Sequence, residues 1–231
     1  IGSTVYAPCG TYRLSQTLKL NKRSMILKGG GGGIGGCTRL KIDAGVSGLL
    51  ITATGTSPVS YGLWAEIREL NVLAAGKTTT AVGIGMTRSG RVRNVYVDGF
   101  ATDGIYIQGP ITDAAIVDPA LDDLNGSQLF REDDHTVNDG WGGANMWSLQ
   151  DVIVQSNGRD GLHAVGGDSN DGYVENCIFN ANVRFGIFDQ TQIATTYVNT
   201  LAELNTYGGV RLVVGIVKYL FIGGNITEGN G

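Results

Sequence analysis

The sequence predicts an all-β fold, a right-handed single-stranded parallel β-helix that carries one long acidic loop. Three sixteen-residue stretches, which begin at Val92, Leu149 and Val174, can be laid over one another without a gap. In each stretch, apolar residues occupy the first, fourth and sixth positions, and a glycine follows twelve residues after the first. A self-similar unit of about 25 residues is typical of a stacked solenoid. The short spacing leaves no room for crossover helices, so parallel strands must coil upon themselves.

This repeat assigns a direction to each side chain. The apolar positions should point inward and stack on the next coil about 4.8 Å away. One interior row is predicted to contain Val95, Val152, Cys177, Leu204 and Leu220. An asparagine ladder at a turn is predicted from Asn157, Asn182 and Asn225, because asparagine tolerates left-handed geometry and bonds to neighbouring amides.

Residues 1–52 contain short β-like runs separated by Gly, Ser, Asn and Lys, so the solenoid should begin at the first residues and form one domain over 1–231. One segment interrupts the repeat. Residues 109–148 form an insertion with eight acidic residues against Arg131 alone, and a long loop of this kind is more often functional than not. Since both chain ends lie inside strand-like patterns, we expect a piece of a longer protein.

Composition excludes several classes of partner. The 17 Lys and Arg residues are balanced by 21 Asp and Glu, and the net charge of -4 without a basic stripe excludes nucleic acid as the expected partner. The longest apolar stretch, 210–222, is too short to span a bilayer, so no membrane partner is expected. Cys9, Cys37 and Cys177 are odd in number and far apart, which predicts neither a disulfide framework nor a metal cluster.

The opening segment resembles a known family. The run TVYAPCGTYRL, followed by ILKGGGGGIGGCTRLKI, resembles the first coils of the pectate-lyase-like β-helix family of phage tailspikes and polysaccharide depolymerases. The resemblance covers residues 4–42. It implies a right-handed β-helix, often a homotrimer, that binds or cleaves polysaccharide outside the cell or on the virion surface of a phage tail. It carries no catalytic motif over to this chain.

Aspartate and glutamate side chains are the candidate catalytic groups in this sequence. The glycine run 29–36 lacks the context of a phosphate-binding loop, and the only histidines are His135 and His163, so we expect no cofactor and no metal. Asp103 and Asp160 precede equivalent glycines and should lie about 5 Å apart, close enough for a glycosidase pair with pKa values pushed apart. The alternative is that Asp-Gly is a turn dipeptide. The next candidate acids are Asp168, Asp171 and Glu175.

An outward row on the strands after these glycines is the predicted substrate-binding surface. It consists of Tyr106, His163, Phe188 and Arg211. Aromatic faces stack on sugar rings, and arginine pairs with an acidic sugar, although such a column also suits a subunit contact. A second outward row, Tyr96, Ile153 and Ile178, is apolar enough to be covered, which agrees with the trimer that the resemblance implies.

Three hypotheses about function follow. The first is a polysaccharide-cleaving β-helix of tailspike type that uses Asp103 and Asp160. The second is a receptor-binding or structural fibre module that grips glycan without cutting it. The third is a calcium-dependent pectate lyase, for which Asp168 and Asp171 near Arg184 would be the nearest acids and base.

Overall fold

A computed structural model describes residues 2–52, 64–77, 81–108, 144–166, 169–191, 194–212 and 219–231. Within these ranges the chain forms strands and turns only, and every pair of adjacent strands is parallel. The predicted right-handed parallel β-helix is confirmed. In the same ranges, no helix reaches the length and hydropathy that a membrane crossing requires. The insertion between 109 and 143 lies outside the described residues.

The strands are short and follow one another at close intervals along the chain. In chain order they are β1 (Thr4–Ala7), β2 (Gly10–Leu14), β3 (Leu18–Leu20), β4 (Ile26–Gly29), β5 (Thr38–Ile42), β6 (Leu49–Ile51), β7 (Ala65–Ala74), β8 (Ile84–Met86), β9 (Gly90–Asp98), β10 (Ile105–Gln108), β11 (Ser148–Gln150), β12 (Ile153–Gln155), β13 (Leu162–Gly166), β14 (Gly172–Glu175), β15 (Ile178–Asn180), β16 (Phe185–Thr191), β17 (Thr195–Val198), β18 (Leu201–Glu203), β19 (Gly208–Leu212), β20 (Leu220–Ile222) and β21 (Ile226–Glu228).

Each coil has three sides. The first side stacks β1, β4, the first half of β7, the first half of β9, β11, β14, β17 and β20. The second side stacks β2, β5, the second halves of β7 and β9, β12, β15, β18 and β21. The third side stacks β3, β6, β8, β10, β13, β16 and β19.

One left-handed residue turns the chain from the first side to the second in most coils. These residues are Glu69, Asn94, Asp151, Asn176 and Asn199, with φ between 46° and 58°. Asparagine and aspartate adopt this region at lower cost than other residues with a side chain, because their short polar groups bond locally. The local sequence therefore determines the bend between the first and second sides of the coil.

The interior row is confirmed for its first three members. Val95, Val152 and Cys177 are fully buried and stack on neighbouring coils. The prediction is wrong for Leu204 and Leu220, which are 61% and 52% exposed. Thr200 and Asn225 follow Cys177 instead, as the pairing of Ile178 with Leu201 and of Leu201 with Ile226 requires. The coil that begins at Thr195 carries threonine at an inward position, so hydrophobicity alone did not reveal its register.

The asparagine ladder shows the same change of register. Asn157 and Asn182 are confirmed, with Asn157 Nδ2 donating to Asn182 Oδ1 at 2.9 Å. The next members are Asn205 and Asn230, linked at 2.9 and 3.0 Å, rather than the predicted Asn225. These amides lie under the turn between the second and third sides and satisfy one another inside it.

Glycine is required at this turn because there is no room for a side chain. A Cβ at Gly161 would lie 2.6 Å from the carbonyl oxygen of Gly186 and 2.8 Å from Asn182 Nδ2. We expect Gly161→Ala to lower the free energy of unfolding by about 1–3 kcal/mol, because overpacking forces backbone and ladder apart. Gly76→Ala is the matched control, since a Cβ there meets nothing within 4 Å. Equal denaturant midpoints for the two variants would contradict this explanation.

The first two cysteines correct the prediction that the chain has no disulfide. Cys9 and Cys37 are bonded, with their Cα atoms 4.7 Å apart. They lie side by side because Gly10 pairs with Thr38, so their separation of 28 residues is one coil. The adjacent glycine run forms the predicted turn. It passes so close to the next two coils that a Cβ at Gly29 would overlap the carbonyl oxygen of Glu69, and one at Gly32 that of Asn94.

Cys177 fills its core position as a thiol, and burial raises the pKa of that thiol to about 12. A group whose pKa is raised in the folded state stabilises the fold below its unfolded pKa, and this stability is lost as pH rises through the folded value. We therefore expect the free energy of unfolding to fall between about pH 9 and 12. In the Cys177→Ala variant, the free energy of unfolding measured by urea titration should fall less steeply with pH over this window. An unchanged pH dependence would show that the loss of stability does not come from Cys177.

Candidate functional site

Asp103 and Asp160 lie on neighbouring coils, as predicted. Each directly precedes a strand of the third side, and β10 pairs with β13 so that Gly104 N–H donates to Asp160 O at 3.0 Å. Both side chains are fully buried. The two carboxylates therefore form a stacked pair within the protein rather than on an open surface.

Each carboxylate is held by an arginine of the next coil. Arg159 Nε donates to Asp103 Oδ1 at 2.9 Å and its Nη2 donates to Oδ2, while Asp160 N–H donates to Asp103 Oδ1 at 3.1 Å. Arg184 repeats the arrangement on Asp160, with Nε at 3.0 Å and Nη2 on the second oxygen, and Phe185 N–H donates at 3.0 Å. We call Asp103, Arg159, Asp160 and Arg184 the charge ladder.

The sequence analysis did not identify the two arginines of this cluster. Arg184 was predicted to lie near Asp168 and Asp171, but its partner is Asp160, and Asp168 lies outside the described residues. The signal was present in the sequence: Arg159 and Arg184 occupy equivalent positions, each two residues before a repeated glycine. Bidentate arginine on a buried carboxylate is a strong structural pairing.

The pKa values of the two carboxyl groups are shifted in opposite directions. Burial raises the pKa of Asp103, but the charge and hydrogen bonds of Arg159 outweigh it, and the net pKa lies below its usual range. Burial also raises the pKa of Asp160, and the nearby charge of Asp103 adds to this effect against the hydrogen bond from Arg184, so its pKa lies above the usual value.

The predicted aromatic column is in register but is not exposed. Tyr106, His163, Phe188 and Arg211 occupy equivalent positions on β10, β13, β16 and β19. The ring centroids of His163 lie 5.2 Å from Tyr106 and 4.9 Å from Phe188. All three rings are buried, which corrects the prediction of a solvent-facing stacking surface. The segment 109–143, which was predicted to wall this column, lies outside the described residues.

Among the described residues, one group of acids and histidine has metal-ligand spacing. Ligand atoms of Asp103, Asp160 and His163 lie within 4.8 Å of one another. The two arginines of the charge ladder already neutralise these carboxylates, and His163 Nε2 lies 3.1 Å from Gln190 Oε1. The donor set therefore does not suit a cation. Asp171 lies outside this group, so the described residues form no acid cluster of the kind that the calcium-dependent hypothesis needs.

The first side carries an open groove that sequence reasoning missed. It has a volume of about 500 Å³ and combines aromatic, cationic, amide and acidic side chains. Its lining residues are Trp64, Arg91, Arg93, Met146, Trp147, Ser148, Gln150, Asp171 and Tyr173. We call this surface the first-side groove.

Strand register positions the groove residues. Arg91, Ser148 and Tyr173 share one outward row, and Arg93, Gln150 and Glu175 share the next. The Arg91 guanidinium lies 5.7 Å from the Trp64 ring centroid, and Gln150 Nε2 donates to Glu175 Oε2 at 2.8 Å. The missed signal was the alternation in β9 and β14, whose outward positions are Arg-x-Arg and Tyr-x-Glu.

A smaller hollow of about 220 Å³ continues the groove past Arg93. It is lined by Arg68, Glu69, Arg93, Asn94 and Asp151. A third cavity, of about 350 Å³, is lined by residues of the last coils such as Tyr197, Phe221 and Thr227 and continues from the core.

Comparison with known proteins supports the fold. No family model and no curated protein matches the chain. Among solved structures, it is similar to ORF18 of Geobacillus virus E2, with 16% identity and a TM-score of 0.59 over 87% of this chain and 34% of that one. It is also similar to the A-modules of mannuronan C-5 epimerases AlgE4 and AlgE6 of Azotobacter vinelandii, each at 15% identity, with TM-scores of 0.45 and 0.43. These matches cover 91% of this chain and 65% and 64% of those modules.

The strand pairing and the likeness to the phage protein define the class: the chain is a parallel β-helix protein. It spans about a third of the phage protein that it matches.

Proposed function

We propose that this chain binds polysaccharide in the first-side groove. The observation that carries the proposal is the combination of Trp64, Tyr173 and two arginines in one open surface of about 500 Å³. Sugar rings present apolar faces that stack on aromatic side chains, and their hydroxyls bond to amides and carboxylates such as those of Gln150 and Asp171. The resemblance of the opening coils to polysaccharide-acting β-helices supports the same class of ligand.

The arginines favour a glycan that carries acidic groups. Arg91 and Arg93 project from one strand on the same face, and a guanidinium binds carboxylate or sulfate in a bidentate fashion. Adjacent coils repeat every 4.8 Å or so, which gives an extended polymer equivalent contacts as it crosses several coils.

We expect Trp64→Ala and Tyr173→Ala each to weaken glycan binding by about 1 kcal/mol or more, through loss of a stacking surface. The measurement is isothermal titration against a panel of capsular, O-antigen and algal polysaccharides. Tyr207→Ala is the matched control, because that ring is exposed away from the groove. Equal affinity for all three variants would place the binding surface elsewhere.

Cleavage is the second candidate function. The sequence predicts it for the stacked pair Asp103 and Asp160, whose pKa values are shifted in opposite directions, but both carboxylates are buried and each is paired with an arginine. Tyr106, His163, Phe188 and Arg211 occupy the strands that follow this pair, but their three rings are buried and offer a substrate no stacking surface. Asp171 and Glu175 are the alternative acids, since they lie in or beside the first-side groove. The test is product analysis: hydrolysis gives new reducing ends alone, elimination also gives unsaturated sugars, and a non-catalytic fibre module gives neither.

Location and assembly of the whole protein are part of the proposal. An exposed disulfide forms and persists in oxidising surroundings, which supports an extracellular protein or a virion surface such as a phage tail. The homotrimer stays a prediction from the resemblance, tested by light scattering at micromolar concentration.

A further inference from the structure

The first-side groove extends along the axis of the β-helix. Its lining residues come from four successive coils, those of β7, β9, β11 and β14. Along a strand the surface is limited by bends, since the three-residue strand β11 lies between the left-handed residues Met146 and Asp151, each with a φ of 54°. One sugar of an extended glycan is about as long as the step of about 4.8 Å between coils. A glycan along the axis therefore places successive sugars over successive coils.

The β9 coil supplies the positive end of this groove. Arg91 and Arg93 are exposed on the same face. The Arg91 guanidinium lies against the Trp64 ring and has no carboxylate partner among the described residues. Arg93 lies 3.8 Å from Glu66, which Arg68 also approaches to 3.5 Å. Arg91 is therefore available to bind an acidic group in a bidentate fashion.

The β14 coil, two steps further along the axis, supplies the negative end. Asp171 is exposed directly before β14, and Glu175 is half-buried at its last position. Neither carboxylate has a Lys or Arg partner among the described residues, and Glu175 accepts a hydrogen bond from the neutral amide of Gln150. The β11 coil between them presents the neutral Ser148 and Gln150, while its Asp151 lines the smaller hollow. The charge of the groove therefore changes sign over about 10 Å.

We propose that the first-side groove binds a glycan in which about one sugar in three is acidic and the others are neutral. This inference rests on the proposed polysaccharide binding and adds the spacing of the acidic groups. An acidic sugar over β9 pairs with Arg91, and a neutral sugar lies over β11. The sugar over β14 is uncharged, because Asp171 and Glu175 repel a carboxylate. The next coil presents the uncharged outward residues Thr196 and Val198, so a further acidic sugar is accommodated there.

This charge pattern discriminates against densely charged polymers. A glycan with an acidic group on every sugar, or on every second sugar, places a carboxylate over β14 whenever another is bound at β9. Like charges a few ångströms apart repel even in water, so such a glycan should bind at least about fivefold more weakly. The difference should become smaller as the salt concentration rises, because salt screens exposed charges.

Galacturonan of graded methyl esterification tests the spacing, because esterification removes the carboxylate charge and keeps the sugar and its linkage. The Kd is measured by isothermal titration for fully acidic oligomers, fully esterified oligomers and oligomers with about one free acid in three. The partly esterified oligomers should bind at least about fivefold more tightly than either of the others. Equal or tighter binding of the fully acidic oligomers would overturn this inference and leave polysaccharide binding in place.

The double variant Asp171→Asn, Glu175→Gln tests whether the discrimination comes from β14. The ratio of the Kd for fully acidic oligomers to that for partly esterified ones should fall at least about fivefold when both charges are removed. Position 171 has a φ of 55°, which asparagine adopts as aspartate does, so the variant should fold. Glu228→Gln is the matched control, since it removes an exposed negative charge from the second side and should keep the parental ratio.

Two further outcomes separate this inference from the proposed function. A double variant with the parental ratio would show that Asp171 and Glu175 do not select the ligand, and the inference would be wrong. If none of the three galacturonans binds to the parent, the inference is also wrong. Polysaccharide binding itself is then decided by the panel of capsular, O-antigen and algal polysaccharides, and it fails only if none of those binds.

Discussion

Val152→Asp is expected to unfold the middle of the β-helix. Val152 is fully buried between Val95 above and Cys177 below, and neither of these two neighbours can pair with a carboxylate. An unpaired carboxylate placed there either stays charged or takes up a proton, and each course costs free energy. The expected loss is about 3–5 kcal/mol, which is a large fraction of the stability of a domain.

The measurement is urea unfolding followed by circular dichroism, with Val183→Asp as the matched control. Val183 is 47% exposed, so the same substitution leaves the new carboxylate solvated there. The control should unfold near the parental midpoint. A Val152→Asp protein with the parental midpoint would mean that the inward assignment of the row is wrong.

The repeated coils could be predicted because their inward positions are apolar and evenly spaced. Val92, Leu149 and Val174 each begin a stretch in which three inward residues and one glycine recur, and the structure keeps that register. The glycines recur for a physical reason, since the turn packs against the asparagine ladder too closely for a Cβ.

Prediction failed where the interior becomes polar. Thr200 and Asn225 occupy inward positions, and one extra residue at Gly223 and Gly224 shifts the last coil, so a search for apolar residues selected Leu204 and Leu220 instead. The disulfide was missed because two distant cysteines become neighbours only when the coil length is known.

The candidate site was predicted in part. Alignment of the repeats brought Asp103 beside Asp160 and ordered the aromatic column, because register alone determines both. Register determines which residues form the column but not how far their side chains are buried, so their burial could not be predicted. The first-side groove was missed because its members come from four successive coils, and Trp64 lies outside the repeat.

The largest expected effect at the charge ladder comes from breaking one of its ion pairs. Asp160→Leu removes the bidentate partner of the buried Arg184 and should lower the free energy of unfolding by about 3–5 kcal/mol. Arg184→Met should cost a similar amount, because it leaves the Asp160 carboxylate buried without its guanidinium. Thermal or urea unfolding of the two single variants gives both values.

The double variant Asp160→Leu, Arg184→Met separates a structural from a catalytic role. With both charges removed, most of the lost stability should return, since a buried ion pair is often replaceable by apolar residues of similar volume. If the ladder is only structural, any polysaccharide cleavage should return with the fold. If Asp160 is the acid, cleavage should stay absent in a protein of restored stability. A double variant that is less stable than either single variant would show that the two charges do not act as a pair.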